Sequence, residues 1–470
     1  MLQRVSGREE FKTAPGAQGL PIREALFPVP FKSYLEFNPP AHGTWNILHT
    51  GMLVPQAHII YVCAAGCLRG VALTAAEMDA MDRFSSISVR ENDITGDSME
   101  RLIIDGVTDV LERLDAMPPA VMIYTSCVHN FMGTDLKYIY RTLRERYPDI
   151  DFTDGYMTPI MKKTIPPDVR TWVSVYSLLH GAPASLPGNM PGRALNSDGT
   201  RHVPDVSRLD RGSVNIIGCD LPLRDDCELL TIAQSASVRL REITKCHTYD
   251  EFQQMAASYR NICLLPVGLR AMAEQEVKLG QDGVYFPLSY DYDLIKGQLR
   301  AFADMLGAPQ IDHDAAMSAC EEAASDTARV LEGREISIDA GATPRPLGLA
   351  KYLTRHGMKV RSIYLDAFNA EEEDEYCWLK ENAPGIMIYP VVDPVMRRFD
   401  RSVGADVVAI GQKAAYFNGT GYFVNMVEGG TFYGYSGIRH LMSLIADASE
   451  REKDTRDIIP RKAIGCMSVI

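Results

Sequence analysis

Three cysteines, Cys63, Cys67 and Cys127, are the residues whose type and spacing point most directly to chemistry. Cys63 and Cys67 follow the apolar run His58–Val62, and Cys127 follows the run Ala120–Thr125. As neighbouring parallel strands, these two runs would aim three thiolates at one point. Iron–sulfur clusters are held by Cys thiolates offered from such loops, where backbone N–H groups also bond the sulfurs. Three ligands can come from one chain. The fourth then comes from a second subunit, a non-Cys residue or another part of this chain. A tetrahedral zinc site built from the same thiols with His129 or His58 shares this donor chemistry, so both metals stay open at this point. Cys219, Cys227, Cys246, Cys263, Cys320, Cys377 and Cys466 read as structural thiols.

Other reactive side chains fall in loops that follow apolar runs. Ser126-Cys127-Val128-His129 places a His where it can donate a proton beside the thiols, although a lone His in a loop is more often a simple hydrogen-bonding residue. Arg345, closing the run Ala340-Gly341-Ala342-Thr343-Pro344-Arg345, and Lys413, after Gly411-Gln412, are suited to pairing with carboxylates. The plainer reading of Lys413 is a surface charge at a helix start.

The elements that must position these side chains follow from hydrophobic rhythm. Short apolar runs alternate with amphipathic stretches, as when parallel strands are covered by helices on both faces. Strands are predicted at His58–Val62, Ala120–Thr125, Val214–Gly218, Ile262–Val267, Ile336–Asp339, Arg361–Leu365, Ile386–Val391 and Val407–Ile410. Met99–Leu114 places Leu102, Ile103, Val107, Val110, Leu111 and Leu114 on one helical face, behind Asp97 and Ser98 as caps. Further helices are predicted at about 134–146, 249–259, 290–306, 312–331 and 433–447. The class is therefore α/β, with a proline-rich N-terminal arm over 1–40 expected to pack on a neighbour, and three units at 41–210, 211–331 and 332–470. In such units ligands bind beyond the carboxyl ends of the strands.

Composition agrees with a multi-unit enzyme. At 470 residues several cores can be buried, and the hydrophobic fraction of 46% is ordinary. A net charge of -13 argues against non-specific nucleic-acid binding. No apolar run is long enough to span a bilayer, and the expected address is the cytoplasm. Ten cysteines in such a chain are too sparse for a disulfide scaffold.

The surroundings of the thiols sharpen the reading. Gly66-Cys67, then Ser126-Cys127 followed by Gly133-Thr134-Asp135, resembles the catalytic-component family of nitrogenases and of dark-operative protochlorophyllide reductases. Val214-Asn215-Ile216-Ile217-Gly218 is similar to the entry of that family's second domain, Ala340–Arg345 to its Gly-rich loop, and Phe432-Tyr433-Gly434-Tyr435-Ser436-Gly437 to the opening of its last helix. The order holds over about 400 residues. The resemblance implies three Rossmann-like domains around a central cleft. It also implies an iron–sulfur cluster, 4Fe-4S or larger, on Cys63, Cys67 and Cys127, with Gly66, Ser126 and Gly133 shaping the cluster loops. His129, Arg345 and Lys413 are then the catalytic candidates.

The family further implies a homologous or identical partner subunit, in a dimer or tetramer, and a nitrogenase-type iron protein that hydrolyses MgATP and delivers electrons. This chain carries no Gly-x-x-x-x-Gly-Lys-Ser/Thr loop, so ATP belongs to that partner. Departures narrow the function. The family's first cluster cysteine, due near position 42, is missing from Ala41-His42-Gly43-Thr44-Trp45, and Cys63 stands where relatives commonly have Gly. The Cys and His that hold the iron–molybdenum cofactor would fall near Leu265 and Val424, and Thr343 replaces an Arg. Dinitrogen reduction is therefore not expected. The implied role is a reductase component that passes low-potential electrons to a bound substrate or metallocofactor, with a metallocluster-assembly scaffold as the alternative.

Overall fold

The computed structural model describes residues 19–31, 47–95, 99–156, 165–180, 209–401, 404, 406–426, 429 and 432–454. The caps Asp97 and Ser98, the segment 41–45 and Cys466 lie outside the described residues, as does most of the arm. What is described of the arm includes β1 (Leu20–Pro21), which pairs antiparallel with a strand of this chain's own third unit. The expectation of packing on a neighbour is thus replaced, for residues 19–31, by packing at home: Ile22 and Ala25 are buried in the third unit's core.

The first unit carries α1 (Ile47–Met52), β2 (His58–Cys63), α2 (Ala65–Glu77), β3 (Phe84–Ser88), α3 (Met99–Arg113), β4 (Ala120–Thr125), α4 (Cys127–Met132), α5 (Leu136–Arg146), β5 (Asp151–Tyr156) and α6 (Pro167–Ser177). Its strands form an all-parallel sheet in the order β3-β2-β4-β5. β2 and β4 are buried along their whole length, which is why both read as unbroken apolar runs.

The second unit has β6 (Asp210–Ile217), α7 (Glu228–Ser235), β7 (Arg239–Glu242), β8 (Ser258–Cys263), α8 (Leu269–Leu279) and β9 (Asp282–Tyr285). Its sheet is parallel, in the order β7-β6-β8-β9. The helix predicted at 249–259 runs only over Tyr249–Gln253, then tightens to a 3-10 turn over Gln254–Ala257. Side-chain amides compete for its carbonyls there: Asn215 Nδ2 and Gln281 Nε2 both donate to Met255 O at 2.8 Å, and Gln281 also reaches Ala256 O and Ser258 O. The run Ile262–Val267 likewise divides, because β8 ends at Cys263 and Pro266–Gly268 makes a 3-10 turn into α8.

Two long helices, α9 (Tyr292–Leu306) and α10 (His313–Leu331), lead to the third unit. This has β10 (Glu335–Asp339), α11 (Pro346–Arg355), β11 (Lys359–Tyr364), α12 (Glu373–Asn382), β12 (Met387–Tyr389), β13 (Val408–Ile410), α13 (Gln412–Asn418), β14 (Phe423–Val424) and α14 (Gly434–Glu450). The sheet order is β1-β12-β11-β10-β13-β14, parallel apart from β1.

Cores run between units. One cluster joins Val214, Ile216 and Ile262 of the second sheet to Ile336, Leu353 and Leu441 of the third unit. Another joins Ile217, Cys263 and Ala271 to Tyr61, Tyr124 and Tyr176 of the first. Among the described residues no helix is long and apolar enough to cross a membrane.

The last helix is anchored by a carboxylate from the second unit. Glu228, at the start of α7, accepts from the Ser436 N–H at 2.8 Å and from the Ser436 hydroxyl at 3.0 Å, and a Cβ on Gly434, whose φ is +74°, would collide with its Oε2. Burial pushes this carboxyl upward while the Ser436 donors and Arg439 pull it down. Glu228→Ala leaves those donors unpaired and opens a void, and is expected to cost about 2–4 kcal/mol in chemical denaturation. Glu228→Gln, which keeps acceptor oxygen, should lose less than half as much.

Candidate functional site

The three predicted thiols sit at the carboxyl ends of the two central strands of the first sheet. Cys63 is the last residue of β2, Cys67 lies in the first turn of α2, and Cys127 is the first residue of α4, directly beyond β4. β2 and β4 pair in parallel with Val62 opposite Thr125, so the two loops leave the sheet side by side. The Ser126 N–H donates to Val62 O at 3.1 Å and ties them together.

The thiols differ in environment. Cys63 is 2% exposed and faces the core that also holds Tyr61 and Tyr124, while Cys67 is exposed and Cys127 half-buried. Burial first, and the neighbouring Cys67 second, push the Cys63 thiol up to about 11. A metal ion would reverse that by stabilising the thiolate. Tyr61 stacks on Tyr124 at 4.6 Å, and its hydroxyl has no hydrogen-bond partner.

The supporting residues are placed as follows. Ser126 is the N-cap of α4 but makes no side-chain cap bond, and Gly133 closes that helix in the left-handed conformation at φ +64°. Gly66 is exposed, with open space where a Cβ would stand. His129 is buried beneath the thiol loops: Nδ1 bonds the Ser126 carbonyl and Nε2 meets Thr125 Oγ1 at 3.3 Å. Burial lowers its pKa, partly offset by the Ser126 bond. With both nitrogens engaged, the ring braces the turn that presents Cys127.

Among the described residues no three His, Cys, Asp or Glu side chains converge as they would to hold a metal ion. His58, the other imidazole offered to a zinc site, contacts Ser85 Oγ at 2.8 Å from the far end of β2. The other described cysteines are mostly structural in placement. Cys219, Cys227, Cys263 and Cys320 are buried in the cores, Cys263 donating to Leu265 O and Cys320 to Tyr435 O.

Further polar side chains stand at the carboxyl ends of strands in the second and third units. Gly218, at φ +80°, and Gly268 approach so closely that a Cβ on either would lie under 3 Å from the other's Cα. Next to Gly218, Asp220 is buried and pairs with His49 of α1 at 3.4 Å. In the third unit Lys413 is 5% exposed, so it is not the surface charge of the plainer reading. Its N–H donates to Asp339 Oδ2 at 2.8 Å and its Nζ stands 3.9 Å from Oδ1. Asp339, missed by sequence reasoning, is the residue that ends β10, a position that marks it as a loop-facing acid. Arg345, the N-cap of α11, is 9% exposed and bound to Glu371 by its carboxylate and its carbonyl. Arg345 and Lys413 thus each already have a carboxylate. Thr343 Oγ1 accepts from the Arg345 N–H at 3.3 Å and meets Tyr290 Oη at 3.0 Å.

Three helix-flanked parallel sheets sharing cores, with thiols at the strand ends of the first, define an α/β protein built to place reactive groups at strand termini. Residues 48–450 match the family described as nitrogenase component 1 type oxidoreductase, and the chain belongs to that family. A solved structure titled "Nitrogenase Cp1 at pH 6.5" is similar at a TM-score of 0.63 and 12% identity, covering 91% of this chain and 95% of that one. Another, "Nitrogenase Cp1 at pH 5", gives 0.55 and 12% over 89% and 91%. At such identity these likenesses speak to the fold alone. Comparison with curated protein sequences gives no match.

Accessibility orders the reactivity of the thiols. Alkylation of metal-free protein followed by peptide mass spectrometry should modify Cys67 first, Cys127 next and Cys63 last. Equal labelling of Cys63 and Cys67 at the earliest time would contradict the burial described.

Proposed function

We propose that this chain is the catalytic component of a nitrogenase-like two-component reductase, with an iron–sulfur cluster on Cys63, Cys67 and Cys127. Such a group supplies one-electron storage at low potential. The chain's part is to hold it: Cys63 from the end of β2, Cys67 and Cys127 from the first turns of α2 and α4, with His129 bracing the loop and Gly66, Ser126 and Gly133 setting its course. The fourth ligand comes from a homologous or identical subunit, which makes the working unit a dimer or tetramer. Electrons arrive from a nitrogenase-type iron protein that binds the MgATP, and leave to a substrate or metallocofactor at the strand ends of the second and third units. There Arg345 and Lys413 would exchange their present carboxylate partners for those of the acceptor. What supports the reading is the arrangement of three thiols beyond adjacent parallel strands, in a chain belonging to this oxidoreductase family.

Two measurements test it. Cys67→Ala and Cys127→Ala should each lose most of the iron bound after anaerobic purification, and Cys63→Ala the same. Iron unchanged in all three variants sinks the assignment. Mixed with a nitrogenase-type iron protein, MgATP and dithionite, the protein should drive ATP-dependent oxidation of that partner's cluster while its own iron stays constant. Unstimulated ATP hydrolysis, with iron moving to an added apo-protein, would replace the reductase with the assembly scaffold.

A further inference from the structure

A groove of about 540 Å³ runs along α11, away from the thiols, walled by the segment 289–294, α10 and the start of α12. Its volume lies in the range of small-molecule sites. Seven acidic side chains line it against the cations Arg345, Lys351 and Arg355 and the imidazole of His356. Several acids are already engaged. Glu371 holds Arg345, Glu321 meets His356 Nε2 at 3.0 Å, and Asp291 caps α9 by accepting from the Asp293 and Leu294 N–H groups. Asp374 and Glu375 have no ion-pair partner among the described residues.

The decisive group is Glu372. Its side chain is completely buried, yet it lines the groove. Oε1 accepts from the Gly348 N–H at 2.7 Å, while Oε2 has no hydrogen-bond partner. A buried carboxylate oxygen left unpaired is destabilising, and a ligand donor would remove that penalty. Burial pushes this carboxyl up to about 8, with Gly348 and Arg345 pulling it down and Glu375 adding to the rise. Either state suits an N–H donor: the ionised acid accepts from an ammonium, and a protonated one gives up its proton as the cation enters.

The distribution of charge selects the ligand. Among the described residues no three acids, His or Cys converge to hold a metal ion, so the acidity is spread along the groove. Tyr292 and Tyr352, whose hydroxyls meet at 3.0 Å and whose rings pack edge to face, supply π surface beside it. Spaced carboxylates with aromatic rings match a flexible chain carrying several ammonium groups. We propose that the α11 groove is a binding site for a linear aliphatic polyamine, with Glu372 receiving one terminal ammonium and Glu375 and Asp374 the next charges. The site needs no metal and does not rest on the iron–sulfur reading, although Arg345 and its partner Glu371 line the groove as well.

The probe is spermidine, titrated calorimetrically into the full-length protein, with Mg²⁺ at equal concentration as the control for unspecific acidity. The expected result is saturable one-to-one binding, weakened at least tenfold in Glu372→Gln, whose amide oxygen still accepts from Gly348 and preserves the local fold. Glu375→Gln, at a partly exposed position, should weaken binding by severalfold and serves if the first variant misfolds. Undetectable binding at millimolar spermidine, equal competition by Mg²⁺, or unchanged affinity in both variants would each overturn the proposal.

Discussion

The constraint on which the rest of this structure depends is that the inner strands of the second sheet, β6 from Ser213 on and β8, are covered on both faces. Val214 and Ile216 of β6 and Ile262 of β8 point into the core shared with the third unit, while Ile217 and Cys263 point into the core shared with the first. Strands covered on both sides must find partners for their polar groups inside the protein. Three amides in a chain supply many of them: Asn215 Nδ2 donates to Asn261 Oδ1, Asn261 Nδ2 to Gln281 Oε1, and Gln281 to the carbonyls that end the preceding turn. A slip of one residue in β6 against β8 would send these amides into the opposite core, so the network specifies register as much as it stabilises.

From that central sheet the positions of the reactive groups follow. Every strand of the first two sheets runs parallel, so each sheet has one carboxyl-end edge, and the loops with special chemistry lie along those edges. The first unit places thiols there and the second a pair of touching glycines. At the same edge of the third sheet stands a buried Lys–Asp pair. That pair is not a stability device in any simple sense, since two desolvated charges 3.9 Å apart gain little beyond what their desolvation costs.

How much of this was readable depended on where a strand lies in its sheet. The eight strands legible as apolar runs, β2, β4, β6, β8, β10, β11, β12 and β13, are all interior; the six that were not, β1, β3, β5, β7, β9 and β14, are all edges. Interior strands of a parallel sheet need apolar side chains on both faces, whereas an edge such as Phe84–Ser88 or Arg239–Glu242 can be short and polar. The same logic governed the site. Thiol spacing was visible because it follows interior strands. The pairing of Arg345 with Glu371, the burial of Lys413 and the unmatched oxygen of Glu372 arise between elements distant in sequence, and no local pattern encodes them.

The end of α6 deserves a mechanical reading. Its final carbonyls, which a helix leaves unpaired, receive donors from the second unit: Gln275 Nε2 bonds Tyr176 O at 3.0 Å, Lys278 Nζ bonds Ser177 O at 2.7 Å, and Gln253 Nε2 bonds Leu178 O at 2.8 Å. Units joined by modest interfaces ordinarily swing about their linkers. Here the junction is a weld, because rotation would break all three bonds together and strand a Lys side chain whose burial already lowers its pKa to about 8. A load applied to the thiol-bearing sheet is therefore carried through this helix end straight into the second unit.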